Sequence, residues 1–401
     1  MEISKNSISV YSGINKAGSM YIESNVEPKV HMWFDYYPKI SVSGKNIEGG
    51  SNRFTTIIRD GSDIIYTAEI HTGMFSNAFK RGVFDCTMEA YDEKGILVDR
   101  FSMLEYFKSG KVCVSIDSAS LGDNIAWVPY IEEFRKKYEI QNLIVTTFYN
   151  DLFDGQYENI TFRPPGYRED GMSVIIGVGW YQEEDRNMHK IDPRTIPLQK
   201  VSSDILDVEY SGEIRPLINK KINPRPTNKK YVCIATESTA GAKYWHYPGG
   251  WQRLVNLLKS VGYEVVLIQK EANSLNGVLD LSGDIPIGDR VSDLLQCEFF
   301  IGLSSGLSWL SWALGVPTVV ISGFTDPFLE FSDRCLRIIN RDVCHGCFTK
   351  TEYKFDRGDW WWCPVHKGTD RYFECTKTIK PEDVFISILD WIESDCTKGS
   401  N

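Results

Sequence analysis

Four cysteines near the C-terminal end of the chain form the most specific chemical pattern in the sequence. Cys344, Cys347, Cys363 and Cys375 are spaced as C-x2-C-x15-C-x11-C. A C-x2-C turn brings two thiolates to one ion at ~2.3 Å, and two further cysteines complete a tetrahedron. The spacing therefore predicts a four-cysteine metal site. It leaves no position open for water, so a structural role is expected rather than a catalytic one.

The spacing alone leaves the metal open. Four thiolates suit zinc and iron equally well, and zinc is the commoner of the two. His345 and His366 lie in the same stretch, and either could replace a sulfur. The first residues of the sequence contain no apolar segment typical of a secretory signal, which predicts a cytoplasmic protein. Reducing thiol pools disfavour disulfides there, so metal binding or burial is expected for the ten cysteines.

A carboxylate follows the first strand of a strand–helix alternation. Asp123 comes directly after Ser120, Leu121 and Gly122, in a polar loop that leads into a helix, and these three residues are candidates for binding the substrate. It could cap that helix, which contributes ~1 kcal/mol. It could instead act as a general base that takes a proton from an incoming hydroxyl, typically ~10²- to 10⁴-fold in rate. Position in the sequence favours neither role.

A second polar loop follows the first strand of the next alternation and contains Thr236, Glu237, Lys243 and Trp245. Lys243 is well placed there to meet a phosphate, although a solvated surface lysine is the commoner outcome. The helix that starts near residue 250 adds free N–H groups and the positive end of a dipole. The loop therefore favours an anion site.

A third loop joins a strand to a helix through small residues, namely Gly302, Ser304, Ser305, Gly306 and Leu307. Such a loop exposes backbone amides that can hold an anion without a charged side chain. The signal is weak alone because Gly-Ser turns are common. Combined with Lys243 in the same half of the chain, it predicts a phosphate site.

These loops need two strand–helix lobes to position them. Continuous apolar runs at 112–116, 143–146 and 174–178, each followed by polar loops, predict buried parallel strands of an α/β protein. Two such lobes facing each other would form a cleft at the carboxyl ends of their strands. The predicted regions are a β-rich domain at 1–110, a first Rossmann-like lobe at 111–225, a second at 226–338, the metal-binding insert at 339–380 and a helix and tail at 381–401.

Bulk properties exclude several classes of function. The chain has 401 residues and a net charge of −10, which argues against nucleic acid as a partner. The long uncharged segment 299–324 is interrupted by serines, glycines and a proline, so a membrane span is not expected. A dinucleotide-dependent oxidoreductase would need G-x-G-x-x-G, and the glycines at 177 and 179 lack the third.

The motifs together resemble those of ADP-heptose-dependent glycosyltransferases. The match runs from S-S-G-L-S at 304–308 through G-V-P at 315–317 to G-F-T-D-P at 323–327. Heptosyltransferases of lipopolysaccharide core synthesis have D-T-G-L-S-H at the first of these. This chain departs from that pattern at Ser304, which replaces the acid, and at Trp309, which replaces the histidine.

The β-rich start and the four-cysteine insert are similar to those of bacterial autotransporter heptosyltransferases, which place heptose on serines of autotransporter adhesins. The resemblance covers residues 1–395. It implies a GT-B fold, an ADP-heptose donor, an inverting transfer to an adhesin passenger domain and a large homo-oligomer. It also implies ferric iron on the four cysteines, in preference to the zinc that spacing alone would favour.

The resemblance further implies roles for single residues. Asp123 would be the catalytic base, and Lys243 together with residues 305–307 would contact the phosphates and sugar of the donor. Thr236, Glu237 and Glu271 would lie near the donor by a looser match. Remaining alternatives are transfer of another sugar or to a lipid acceptor, and a non-catalytic module that docks a partner.

Overall fold

The computed structural model describes residues 27–45, 52–180 and 191–398, with side chains to residue 394. The first 26 residues of the predicted β-rich domain, and the last three of the predicted tail, lie outside the described residues. The described part is a mixed α/β structure with three sheets.

Strands and helices are numbered here in chain order. The strands are β1 Lys29–Asp35, β2 Tyr37–Ser43, β3 Arg53–Asp60, β4 Asp63–His71, β5 Phe75–Asn77, β6 Cys86–Tyr91, β7 Leu97–Ser102, β8 Val112–Ile116, β9 Leu143–Thr146, β10 Ile160–Arg163, β11 Val174–Val178, β12 Tyr231–Ile234, β13 Glu264–Leu267, β14 Leu279–Asp280, β15 Phe300–Gly302, β16 Thr318–Ile321 and β17 Cys335–Ile338. The helices are α1 Met103–Phe107, α2 Leu121–Lys137, α3 Asn150–Phe153, α4 Leu198–Ile205, α5 Gly250–Ser260, α6 Ile287–Leu295, α7 Gly306–Ala313, α8 Glu374–Lys377 and α9 Pro381–Lys398.

The first lobe is built on a seven-stranded sheet of order β10-β9-β8-β11-β1-β2-β5. Strands β8 and β11 are buried along their whole length, which explains their uninterrupted apolar sequences. Residues 112–116, 143–146 and 174–178 form strands as the sequence predicts. Helix α2 covers this sheet and begins at Leu121, so Asp123 belongs to the first turn of the helix and not to the polar loop expected before it.

The N-terminal strands differ from the prediction of a separate β domain. Strand β1 pairs in parallel with β11, with Phe34 opposite Val174, and β2 and β5 continue the same sheet. Only β3, β4, β6 and β7 form a sheet of their own, which is antiparallel. The partner of β11 at this edge is β1, which is far away in sequence. The local composition of the N-terminal residues therefore could not indicate that the two strands pair.

The second lobe is a six-stranded parallel sheet of order β14-β13-β12-β15-β16-β17. No helix or strand lies between α4 and β12, in agreement with the Pro- and Asn-rich composition of residues 215–230. Helix α9 returns to this lobe, where Val384 and Ile388 join its core. The uncharged segment 299–324 divides into β15, α7 and β16, and no helix of the described residues has the length and apolarity to cross a membrane.

The cysteine insert, residues 339–380, is mostly loop and contains the short helix α8. Its aromatic side chains form a small core of their own, in which Phe348 and Trp362 pack with Phe324 of the second lobe. Trp180 of the first lobe packs on the edge of this core. The insert therefore touches both lobes.

Candidate active site

Asp123 is the third residue of helix α2 and is only 9% exposed. Its Oδ2 accepts hydrogen bonds from Ser118 Oγ at 2.6 Å and from Trp180 Nε1 at 3.0 Å. The residue at the N-cap position is Ser120. The helix-cap interpretation of Asp123 is therefore wrong, because its carboxylate binds two side chains instead of the free amides of its own helix.

The environment of Asp123 is that of a candidate proton acceptor. Burial raises the pKa of the Asp123 carboxyl above its ordinary value, while the hydrogen bonds from Ser118 and Trp180 and the positive charges of Lys243 and Arg357 lower it. A raised pKa moves a carboxylate towards the range in which it exchanges protons efficiently near neutral pH.

Lys243 lies in a short 3-10 turn after strand β12, at the carboxyl end of the second sheet. Its Nζ lies 5.7 Å from the centre of the Phe324 ring. Among the described residues no ion pair joins this lysine to a carboxylate, and its positive charge lowers the pKa of Asp123. An unneutralised cation at this position is available to a negatively charged ligand.

Ser305 and Gly306 begin helix α7 at the same edge of the second sheet. Ser305 is at the N-cap position with no side-chain cap bond, and its buried Oγ has no hydrogen-bond partner among the described residues. A buried hydroxyl without a partner is costly, and it is one sign of a position completed by a ligand. The first amides of α7 add donors for an anion.

Glycines let the two lobes approach closely beside this edge. A Cβ on Gly306 would lie 2.7 Å from Leu121 Cβ, and a Cβ on Gly122 would lie 2.9 Å from Trp309 Cδ1. The starts of α2 and α7 therefore pack directly on each other. Trp309, which departs from the family pattern, fills this contact and is 4% exposed.

We expect Gly306→Ala to lower the free energy of unfolding by about 1–3 kcal/mol, because the added methyl group meets a Cβ and a backbone nitrogen that cannot rotate away. Gly288→Ala is the matched control, since Gly288 also lies in the first turn of a helix and its added methyl meets nothing within 4 Å. Urea denaturation of both variants measures the difference. Equal stability of the two would contradict the close contact.

A cavity of about 510 Å³ opens between the lobes beside these helix starts. The first lobe contributes Leu121 and Phe148 to its wall, and the second contributes Ile268, Ile285 and Leu307. Polar and charged side chains complete the wall, namely Tyr149, Asn150, Asp151, Lys270, Asp284 and Arg290, and Asp123 and Lys243 are not among its lining residues. A cleft of mixed polarity at the carboxyl ends of parallel strands is a usual place for a small polar ligand. The volume suits a nucleotide-sized ligand.

Glu237 and Glu271 lie close to each other on the second lobe. Burial, together with the negative charge of Glu271, raises the pKa of the Glu237 carboxyl. Both carboxylates also act on Tyr244, whose pKa is raised first by burial. Glu237 and Glu271, which were assigned to the donor site by the looser match, therefore form one acidic cluster.

Four of the predicted binding residues have other structural roles. Trp245 is 4% exposed and its indole N–H donates to Ile379 O at 3.0 Å, so it belongs to the core. Thr236 Oγ1 is engaged by Gln269 and Asn273. Ser304 Oγ bonds Ser322, Thr325 and Glu330, and Gly302 is buried where a Cβ would meet the Phe300 ring. At these four positions the contacts within the protein explain the residue type, so the loop sequences do not by themselves require a bound ligand there.

Three residues of this site were missed by the sequence interpretation. Ser118 and Trp180 bind the Asp123 carboxylate, and Arg357 Nη2 donates to Trp180 O at 3.1 Å. Ser118 lies in the same loop, five residues before Asp123, so its position was a usable signal. Trp180 and Arg357 come from other elements, and no local pattern pointed to them.

The four cysteines of the insert lie in one neighbourhood. Burial raises the pKa of the Cys375 thiol to about 12, and the charges of Cys344, Cys347 and Cys363 add to the shift. Burial likewise raises the pKa of Cys344 to about 12. Gly346 has a φ of 63°, a left-handed conformation that turns the chain between Cys344 and Cys347.

Nearby groups offer a second set of metal ligands. Among the described residues, Cys344, His366 and Glu374 have donor atoms within 4.8 Å of one another. The Glu374 carboxylate, however, is already bound by two N–H groups of Arg371, at 2.6 and 2.7 Å. Clustered thiols with raised pKa values ionise at neutral pH when a cation compensates the charge, so the donor set fits a thiophilic metal. The four-sulfur arrangement itself stays a prediction.

Sequence comparison relates the second half of the chain to one enzyme family. The profile of glycosyltransferase family 9 (heptosyltransferase) matches residues 208–350. The autotransporter heptosyltransferase Aah of Escherichia coli is 36% identical over 318 residues, which is 77% of each chain. The autotransporter heptosyltransferase TibC of Escherichia coli O78:H11 is 35% identical over 334 residues, 80% of each chain.

Comparison of structures gives the same relation for nearly the whole chain. A crystal structure described as dodecameric iron-containing heptosyltransferase TibC in complex with ADP-D-beta-D-heptose aligns with a TM-score of 0.78 and 30% identity. The alignment covers 93% of this chain and 97% of that one. The mixed α/β fold described above is therefore that of solved heptosyltransferase structures.

Proposed function

Since this chain belongs to the autotransporter heptosyltransferase family and is a glycosyltransferase, we propose that it transfers heptose from ADP-heptose to serine side chains of an autotransporter adhesin. The observation that carries the proposal is that the start of α2, which contains Asp123, packs on the start of α7 from the opposite lobe, beside a cavity of nucleotide size. The positive charge of Lys243, from the second lobe, acts on Asp123. One group accepts a proton and the other holds a leaving diphosphate.

The reaction is a single displacement. Asp123 takes the proton of the acceptor serine hydroxyl as its oxygen attacks the anomeric carbon of heptose. The bond between that carbon and the diphosphate oxygen breaks with its electron pair, and ADP leaves on the opposite face. The configuration at the anomeric carbon inverts, and no nucleophile of the protein is needed.

Negative charge grows on the diphosphate as the bond breaks. Lys243 and the amides at the start of α7, with the Ser305 hydroxyl beside them, are the groups that stabilise this charge. Fixed donors in a cleft partly shielded from water are effective because they need no reorganisation during the reaction. Gly306 and Leu307 lie next to the sugar in this arrangement.

The insert binds one metal ion per chain through Cys344, Cys347, Cys363 and Cys375, and ferric iron is preferred to zinc because the TibC structure is described as iron-containing. Bound there, the metal supplies structural cross-linking of the insert. The dodecamer described for TibC supports a large homo-oligomer. Cytoplasmic action, before the acceptor is exported, suits reduced cysteine ligands.

We expect Lys243→Met to weaken ADP binding about tenfold, which corresponds to ~1.4 kcal/mol, because a charge-assisted contact to phosphate is lost. Isothermal titration calorimetry with ADP measures the change. Lys259→Met is the control, since Lys259 lies on helix α5 and donates to Gly277 O. Unchanged ADP affinity in Lys243→Met would remove the lysine from the donor site.

Co-expression with a serine-rich adhesin passenger domain tests the function. Intact-mass spectrometry of the acceptor is expected to show additions of one heptosyl residue per modified serine, and far fewer additions after the same time with Asp123→Asn. Additions of another sugar mass would assign a different donor, and transfer to a lipid would assign a different acceptor. A folded protein that neither transfers nor hydrolyses ADP-heptose would instead favour a binding module.

A further inference from the structure

We propose that Trp180 is a positioning residue that fixes the Asp123 carboxylate for proton transfer, and that the cysteine insert holds Trp180 in place. The inference rests on the proposed role of Asp123 as the base. It gives the insert a part in catalytic geometry, in addition to its structural role.

The first step is the contact with the carboxylate. Trp180 follows strand β11 by two residues, and its Nε1 crosses from there to Asp123 Oδ2 at 3.0 Å. Ser118 Oγ donates to the same oxygen. Because one oxygen accepts both bonds, the carboxylate is fixed in rotation. Among the described residues nothing donates to its Oδ1, so this second oxygen is free to accept a proton.

The second step is the contact between Trp180 and the cysteine insert. Arg357 Nη2 donates to Trp180 O at 3.1 Å. The Phe348 ring, next to Cys347 in the chain, meets the Trp180 ring edge to face with centroids 6.1 Å apart. The ring of Trp127, on helix α2, also contacts the Trp180 ring, with centroids 6.4 Å apart. The indole is therefore held between α2 and the insert.

The insert also holds the loop that carries Lys243. Ala242 N donates to Trp360 O at 3.0 Å, and Gly241 lies so close to the Trp361 ring that a Cβ would be 2.7 Å from it. One small unit therefore contacts the supports of both the base and the phosphate-binding lysine. Because the insert contacts both supports, we expect it to fix the distance between Asp123 and Lys243 across the cleft.

The pH dependence follows from the groups that face Asp123. Ser118 and Trp180 donate to it, Lys243 and Arg357 add positive charge, and Tyr149 feels its negative charge. A hydrogen bond to the charged form lowers the pKa of a carboxyl. Removing the indole donor therefore raises that pKa, and the acid limb of the activity profile moves to higher pH.

The test is Trp180→Phe, which keeps an aromatic ring and removes the N–H. We expect the acid limb of kcat/KM to move up by about one pH unit, with a roughly tenfold loss on that limb and an unchanged Kd for ADP. Tyr130→Phe is the matched control: Tyr130 lies on the same helix α2, and the variant loses a hydroxyl bond to Gly212 O at 2.7 Å without touching the carboxylate. Its acid limb is expected to stay in place.

Arg357→Lys keeps the inference testable if Trp180→Phe does not fold, because it retains the positive charge that acts on Asp123 and removes the guanidinium bond to Trp180 O. The same upward shift of the limb is expected. An unmoved limb in either folded variant overturns the positioning role. Full turnover by Asp123→Asn would instead overturn the base assignment, so the two failures are distinguishable.

Discussion

Asp123→Asn is expected to lower kcat at least about a hundredfold while leaving ADP-heptose affinity nearly unchanged. This is the low end of the range for removal of a general base. The amide oxygen of asparagine can still accept the bonds from Ser118 and Trp180, so the local structure should survive. The amide group cannot take the proton of the acceptor hydroxyl. Steady-state transfer rates and calorimetric donor binding separate the two effects.

Asp117→Asn is the matched control for this variant. Asp117 lies at the same edge of the first sheet, and its carboxylate accepts hydrogen bonds from Tyr36 and Ser115. Its turnover is expected to stay within about threefold of the parent, as for a substitution away from the reacting atoms. Near-normal turnover of Asp123→Asn would remove the base assignment and, with it, the mechanism proposed above.

Cys363→Ser is expected to abolish metal binding and to lower the free energy of unfolding by roughly 4 kcal/mol or more. Metal binding stabilises a site that does not exist in the unfolded chain, so its loss appears directly as lost folding energy. Cys363 is buried beside the aromatic core of the insert, whose loops contain little regular structure of their own. Metal analysis by mass spectrometry and urea denaturation measure the two effects.

Cys335→Ser is the control, because Cys335 lies on strand β17 outside the insert, and its variant should retain the metal. The absorption spectrum of the parent identifies the ion, since ferric thiolate is coloured and zinc thiolate is not. A parent protein that contains no metal would show that the cluster is not a metal site, and unchanged stability of Cys363→Ser after metal loss would show that the metal does not stabilise the fold. Retention of metal by that variant would favour ligands such as His366 or Glu374.

Much of the fold could be predicted because its signals are local. Strands β8, β9 and β11 are short apolar runs, buried on both faces, and their limits follow from the residues themselves. The segment 299–324 is divided by its serines, glycines and proline into strand, helix and strand. In each case the deciding interactions join residues a few positions apart.

Pairings between distant segments could not be predicted in this way. Strand β1 joins the sheet of the first lobe beside β11, about 140 residues later in the chain, so the expected separate β domain was only partly correct. Trp245 illustrates the same limit inside a loop. Its neighbours in sequence suggested a ligand contact. In the structure its indole N–H donates to the backbone oxygen of Ile379, two residues before helix α9.

The two alternations of strand and helix, the loops at their carboxyl ends and the cysteine pattern were predictable, because each depends on residue types at short separations. The tertiary structure alone decided that Asp123 is a buried hydrogen-bond acceptor and not a helix cap. Its partner Trp180 lies 57 residues away, and Arg357 lies 177 residues beyond that. Contacts at such separations arise only when packing brings whole elements together.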